Sequence, residues 1–101
     1  MDATITLNQL TQSNNGINRL KAMIGAYNFI KDKNTVSFRF KAKSHNKSNY
    51  CKITLNSLDY YDVEFFKIRL PNIKSVETIN NVDCESLMGV FEEKTKLYLK
   101  L

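Results

Sequence analysis

The sequence predicts a single α+β domain, in which helices cover one face of a mostly antiparallel sheet of four or five strands. Apolar residues recur at helical spacing in the first 30 residues and again after position 84, whereas between residues 35 and 70 they mostly alternate with polar residues. The length of 101 residues and the hydrophobic content of 43% fit one domain over residues 1–101. The predicted order is α-α-β-β-β-(β)-α-β.

Two helices are predicted in the first 30 residues. Thr6 is expected to cap a short helix carrying Leu7 and Leu10, and residues 13–16 then break it. Gly25 either interrupts the last turn of the second helix or ends that helix in a left-handed conformation. The apolar stripe of the second helix comprises Ile17, Leu20, Met23, Ile24 and Tyr27.

Three alternating strands are predicted to follow at residues 35–43, 50–56 and 60–70, with the polar residues 44–49 as the tip of the first hairpin. The third strand changes phase near its middle. Either a β-bulge near Phe65 and Phe66 or a strand that is apolar on both faces would explain this change.

The last third of the chain predicts one irregular strand, one helix and a closing strand. Residues 73–79 have the composition of a strand without regular alternation. Asp83 is positioned to cap a helix from Cys84 to about Thr95, and the alternating leucines of residues 97–101 predict a final strand.

The positive charge is concentrated in the middle of the chain. Of the formal net charge of +5, residues 31–56 carry seven basic residues against Asp32 alone, whereas residues 57–101 carry more acidic than basic residues. Alternate residues of a strand are about 6.6–7 Å apart, close to the phosphate spacing of an extended nucleic-acid strand, and four neutralised phosphates predict a log–log salt slope near −4. Tyr50 adds a surface on which a base can stack. The predicted face for nucleic acid or an acidic protein comprises Arg39, Lys41, Lys43, Lys47, Tyr50 and Lys52.

Two alternatives to nucleic-acid binding remain open. The apolar residues Phe66, Ile68 and Leu70 lie on the other face of the third strand, where they are covered by the last helix or form a protein interface. Alternatively, the basic face is only the solvated side of a sheet, in which Asp62 and Glu64 pair with lysines of neighbouring strands, namely Lys52 and Lys41.

Residues suited to catalysis are sparse, so the sequence predicts a non-enzymatic protein without a cofactor or a metal. His45 stands alone in a polar loop, and Cys51 and Cys84 have no zinc-ligand spacing and are expected to be reduced thiols. The remaining enzymatic alternative is a metal-dependent activity at Asp62 and Glu64. No membrane-spanning run and no export signal is apparent, which predicts a cytoplasmic protein.

Five segments of the chain resemble small uncharacterised proteins of phage and prophage genomes. They read MIGA, SFRFK, CKITLN, YDVEF and LYLKL, at residues 23–26, 37–41, 51–56, 61–65 and 97–101. None of these segments is a functional motif, so the resemblance implies a setting and no site residues. That setting is the cytoplasm of a bacterial host, with a role in phage DNA metabolism, takeover or counter-defence, including anti-CRISPR-like inhibition of a host function.

Overall fold

A five-stranded antiparallel sheet, whose strands lie side by side in chain order, forms the body of the protein, and helices pack on one face of it. The computed structural model describes residues 2–99. Within them the α+β class is confirmed, and the order of elements is α-α-β-β-β-β-β-α. The elements are α1 Ala3–Thr11, α2 Gly16–Ile24, β1 Tyr27–Asp32, β2 Thr35–Arg39, β3 Tyr50–Leu55, β4 Tyr61–Arg69, β5 Asn72–Val82 and α3 Leu87–Thr95.

Helix α1 begins earlier than the sequence predicted. Asp2 caps it, because its side chain accepts a hydrogen bond of 2.9 Å from the backbone N–H of Thr4. The prediction that Thr6 is the cap is therefore wrong. Thr6 lies buried within the helix, where its hydroxyl is 3.3 Å from the Tyr61 hydroxyl of β4.

Helix α2 packs closely against α1 and ends at a glycine. At its start, the N–H of Gly16 donates to the Asn8 side chain at 2.8 Å, and a Cβ on Gly16 would collide with the backbone carbonyl of Leu7. At its end, Gly25 has a φ of 65°, which confirms the second of the two predicted roles of this residue.

Strand β1 was not predicted from the sequence. Tyr27, which was assigned to the helical stripe, instead pairs with Arg39 of β2. The register shifts between Tyr27 and Ile30, and Asn28 has a φ of 58°. This bulge places the apolar residues of β1 out of strict alternation, so the strand does not show the two-residue period.

Strand β2 ends sooner, and β5 extends further, than predicted. The chain leaves the sheet after Arg39 instead of continuing to residue 43, and the irregular strand predicted at 73–79 is β5, with 11 residues. In β4 both explanations of the phase change hold. The strand becomes apolar on both faces, and the register shift opposite Phe65 and Phe66 leaves Val76 of β5 as an extra residue.

The core lies between the helices and one face of the sheet. Phe91 of α3 is fully buried, with its ring centroid 6.4 Å from that of Phe38 and 5.8 Å from that of Phe65. Within residues 2–99 the opposite face of the sheet carries no helix, and we call it the open face. Its residues on β2 to β4 are Thr35, Ser37, Arg39, Tyr50, Lys52, Thr54, Asp62, Glu64, Phe66 and Ile68.

The last helix is shorter than predicted, and the strand expected after it is absent from residues 97–99. Asp83 caps a turn, accepting a 2.8 Å hydrogen bond from the Ser86 N–H, and α3 begins only at Leu87. The buried Leu99 donates its N–H to a Glu92 carboxylate oxygen at 2.8 Å. The prediction of a closing strand is therefore wrong for residues 97–99, and residues 100 and 101 lie outside the described part.

Candidate functional site

A row of aromatic and basic side chains crosses four strands of the open face. The register pairs Tyr27 with Arg39, Arg39 with Tyr50, and Tyr50 with Phe66. Directly opposed residues of antiparallel strands share a face, with Cβ atoms about 4.5–5.5 Å apart. We call these four residues the aromatic row. Three of its members carry rings, and the fourth carries a guanidinium group.

The rings of the aromatic row are held in place and remain accessible. The guanidinium carbon of Arg39 is 5.6 Å from the ring centroid of Tyr27, a cation–π contact. The rings of Tyr50 and Phe66 are 5.6 Å apart at an angle of 71°, which leaves at least one face of each ring clear of the other. Tyr27 is 38% exposed, and Tyr50 and Phe66 are half-buried. An added planar group can therefore reach this row.

Charge is segregated along the strand direction. At the end of the sheet where β2 ends and β3 begins, residues 39–50 and 66–76 contain no Asp or Glu. We call this the basic end. Its basic residues are Arg39, Lys41, Lys43, Lys47, Lys67, Arg69 and Lys74. We call the opposite end the carboxylate end. Its acidic residues are Asp32, Asp59, Asp62, Asp83 and Glu85.

A cavity of about 360 Å³ opens at the basic end, and we call it the lysine cavity. The amine of Lys41 also lies 5.6 Å from the ring centroid of Tyr27, so the cavity adjoins the aromatic row. The residues that line it are Phe40, Lys41, Ala42, Lys43, Ser44, Lys47, Ser48, Asn49 and Lys67. Four of these nine residues are lysines and none is acidic.

Hydrogen bonds fix the backbone of the loop that carries most of these lysines. The N–H of Phe40 donates to the Asn49 carbonyl at 3.1 Å, and the N–H of His45 donates to the Thr95 carbonyl at 2.7 Å. The Asn49 side chain accepts from the N–H of Ile68 at 2.7 Å and donates to its carbonyl at 2.9 Å. This loop, expected to be the polar tip of a hairpin, is therefore anchored to α3 and β4.

The residues predicted as the basic face divide into two groups. Arg39 and Tyr50 belong to the aromatic row, and Lys52 lies beside them on the open face. The remaining lysines lie beyond the end of β2, because the chain leaves the sheet after Arg39, and they surround the lysine cavity. These are Lys41, Lys43 and Lys47. The predicted residues are thus neighbours, although they do not share one strand face.

The predicted cross-strand ion pairs do not form. Lys52 and Glu64 are opposite each other in register, yet the ion pair present within residues 2–99 joins Lys94 to Glu77 at 3.1 Å. Asp62 lies opposite Thr54 and accepts hydrogen bonds from neutral groups, the Asn56 side chain and the Asn81 N–H. Lys52 is therefore not ion-paired within the described residues, although Glu64 lies directly opposite it on the open face.

The apolar residues that were predicted as a protein interface are not covered by α3, which packs on the other side of the sheet. Phe66 and Ile68 lie on the open face, and Leu70 is 76% exposed in the turn that follows β4. Ile73 of β5, which pairs with Ile68 and is 65% exposed, extends this apolar surface.

Sequence reasoning missed two members of the site. Tyr27 was assigned to a helix, and its place in the aromatic row depends on the bulge in β1. Lys67 lies on β4, far along the chain from the loop whose lysines it joins at the cavity. Lys67 reaches the loop lysines only through the register of β3 with β4.

The two thiols differ in burial. Burial, and secondarily the charge of Glu64, raises the pKa of the Cys51 thiol well above its usual range, whereas Cys84 is exposed. Because the thiolate is the reactive form, we expect a disulfide reagent to modify one thiol, at Cys84, in the native protein at neutral pH. Denaturant should make the second thiol, Cys51, accessible to the reagent. Rapid reaction of two thiols in the native state would contradict this expectation.

Within residues 2–99 no group of three or more His, Cys, Asp or Glu side chains is placed to hold a metal ion. None of the helices in this part of the chain has the length and apolar character needed to cross a membrane. Comparison of the chain with protein-family models, with curated proteins and with solved structures gives no match.

Proposed function

We propose that the protein is a non-enzymatic binding module for single-stranded nucleic acid, which it holds on the open face. The observation that carries this proposal is the aromatic row, which lies on a sheet face without a helix in residues 2–99 and adjoins the basic end, where residues 39–50 and 66–76 carry seven basic side chains and no acidic one. Unpaired bases stack on exposed aromatic rings, and basic side chains contact the phosphates.

The aromatic row favours a single strand over a duplex. In a duplex the base faces are already stacked on each other, so rings on a flat sheet cannot reach them, whereas a single strand can turn its bases toward the sheet. Adjacent strands are about 4.8 Å apart, which puts the backbones at Tyr27 and Tyr50 about 10 Å from each other. This spacing separates the two tyrosines enough for one base on each, provided that a base displaces the Arg39 or the Lys41 side chain from the ring of Tyr27.

Fluorescence anisotropy with single-stranded and double-stranded oligonucleotides of one sequence tests this proposal. We expect tighter binding of the single strand at about 50 mM salt. Four contacted phosphates should give a log–log salt slope of about −3, smaller than the −4 expected from the sequence, because each phosphate of a single strand contributes only about −0.7. Equal affinity for the duplex would exclude a role for stacking. An absence of any binding at this salt concentration would exclude the proposed function.

The contribution of stacking can be measured with one tyrosine. We expect Tyr50→Ala to weaken binding of the single strand about tenfold or more, because one base–aromatic stack contributes about 1–3 kcal/mol. The matched control is Tyr60→Ala, which removes an exposed tyrosine near the carboxylate end. If both variants bind like the wild type, bases do not stack on the aromatic row.

The apolar surface of the exposed Leu70 and Ile73 beside the half-buried Ile68 favours a second candidate function. In this alternative the protein is a stoichiometric inhibitor of a host function that docks an acidic protein at the basic end without contacting nucleic acid. The resemblance to phage and prophage proteins supports the cytoplasm of a bacterial host as the setting for either function. Retention of one stoichiometric partner from a nuclease-treated lysate, together with no binding of oligonucleotides, would favour this alternative.

A further inference from the structure

The lysine cavity concentrates positive charge in one recess. Four lysines line it, no acidic residue does, and the ion pair present within residues 2–99 does not involve any of them. A phosphodiester carries a single negative charge. A phosphomonoester carries about 1.5 to 2 negative charges at pH 7 and offers three acceptor oxygens, so it matches a cluster of ammonium groups better.

The lysines reach the cavity from separate parts of the chain with fixed backbones. Lys43 follows β2 in the anchored loop, and Lys67 belongs to β4. Other polar side chains of the lining are already engaged. The Ser44 hydroxyl donates to the Ser48 carbonyl at 2.6 Å, and the Ser48 hydroxyl donates to the Asn46 side chain at 2.6 Å. The four lysines are exposed, so their ammonium groups are the charged donors that can turn toward an anion in the cavity, at the cost of side-chain rotamer entropy.

We propose that the lysine cavity is a phosphomonoester site. Lys41 lines the cavity and also lies over the ring of Tyr27, so the site continues directly from the aromatic row. When the protein binds a nucleic-acid strand, the group in this cavity is the terminal phosphate of that strand. This assignment rests on the proposed function. A recess beside the open face receives the end of a nucleic-acid strand, whereas the internal phosphates of that strand lie along the surface of the sheet.

The test compares three oligonucleotides of one sequence, with a 5′-phosphate, with a 3′-phosphate or with hydroxyl groups at both ends. We expect one phosphorylated form to bind about tenfold more tightly than the hydroxyl form. The double variant Lys43→Gln with Lys67→Gln should remove this difference. The control is Lys31→Gln with Lys33→Gln, which removes the same charge near the carboxylate end and should preserve it. Thermal unfolding of both variants verifies that they fold.

A nucleoside 5′-monophosphate serves as a second probe, followed by chemical-shift changes at residues of the cavity. Equal binding of all three oligonucleotides would overturn the phosphomonoester site and leave the proposed function intact. A difference that persists in the Lys43 and Lys67 variant would also overturn it. Binding of the monophosphate without binding of any oligonucleotide would support the site, with a free nucleotide as its source, and overturn the proposed function. Binding of neither probe would overturn both.

Discussion

Lys41→Glu combined with Lys43→Glu is expected to abolish binding of single-stranded nucleic acid, with a loss of affinity of at least about a hundredfold. The double variant removes two ammonium groups from the lysine cavity and puts two carboxylates in their place. Placing like charges against each other in an interface costs several kcal/mol, and each lost phosphate contact also reduces the salt slope. Anisotropy at two salt concentrations measures both effects.

The same double variant should unfold at nearly the wild-type temperature. Both lysines are exposed, and the backbone hydrogen bond of 3.2 Å from the Lys41 N–H to the Ile24 carbonyl is kept in the variant. The cation–π contact between Lys41 and Tyr27 is lost, which lowers the free energy of unfolding by about 0.5–1 kcal/mol. The control is Lys31→Glu with Lys33→Glu, an identical change of net charge near the carboxylate end. If the control loses as much affinity, binding depends on overall charge and the basic end is not the interface.

The largest effect on stability is expected for Phe38→Ala. Phe38 is fully buried, and its ring centroid lies 5.6 Å from that of Phe29, 6.2 Å from that of Phe40 and 6.4 Å from that of Phe91. Replacing a buried phenylalanine with alanine lowers the free energy of unfolding by about 3–5 kcal/mol. In a domain of this size the melting temperature should fall by at least about 12 °C, which thermal unfolding followed by circular dichroism measures.

Phe66→Ala is the matched control, since it makes the same change on the opposite face of the sheet. Phe66 is half-buried and contacts Tyr50 on the open face, so its loss should lower the melting temperature much less than Phe38→Ala. Phe66→Ala should also weaken binding of the single strand, because one ring of the aromatic row is lost. Equal destabilisation by the two variants would contradict the assignment of the two faces.

The regular parts of the fold were predictable because their side chains follow a simple period. Alternation identified the buried face of β2, β3 and β4, and this face is confirmed at Phe38, Ile53 and Phe65. The helical stripe identified α2, and its end at Gly25 was one of the two roles that the sequence allowed for this residue. In these segments each residue's environment is set by neighbours two to four positions away, so the local sequence contains the information that the prediction needs.

The remaining features depend on contacts that local sequence does not encode. The alternation of residues 35–43 continues past Arg39, but the chain leaves the sheet there, where the backbone N–H of Lys41 bonds to Ile24. The alternating leucines before residue 99 suggested a strand, yet the Glu92 carboxylate takes the hydrogen bond that a neighbouring strand would have accepted. A side chain can thus replace a strand partner without any change in the pattern of apolar residues.

The separation of charge between the two ends of the sheet has a consequence for how copies of the protein are arranged on one nucleic-acid strand. When a molecule binds a polyanion with its basic end, the carboxylates of Asp32, Asp59 and Asp83 point away from the polyanion. A coated strand would therefore present a negative exterior, and a second layer of the same protein could dock only by its own basic end, onto carboxylates already partly screened by salt. The molecules on the strand should therefore be oriented alike, and any second layer, held only by this attraction between opposite charges, should be lost as the salt concentration rises.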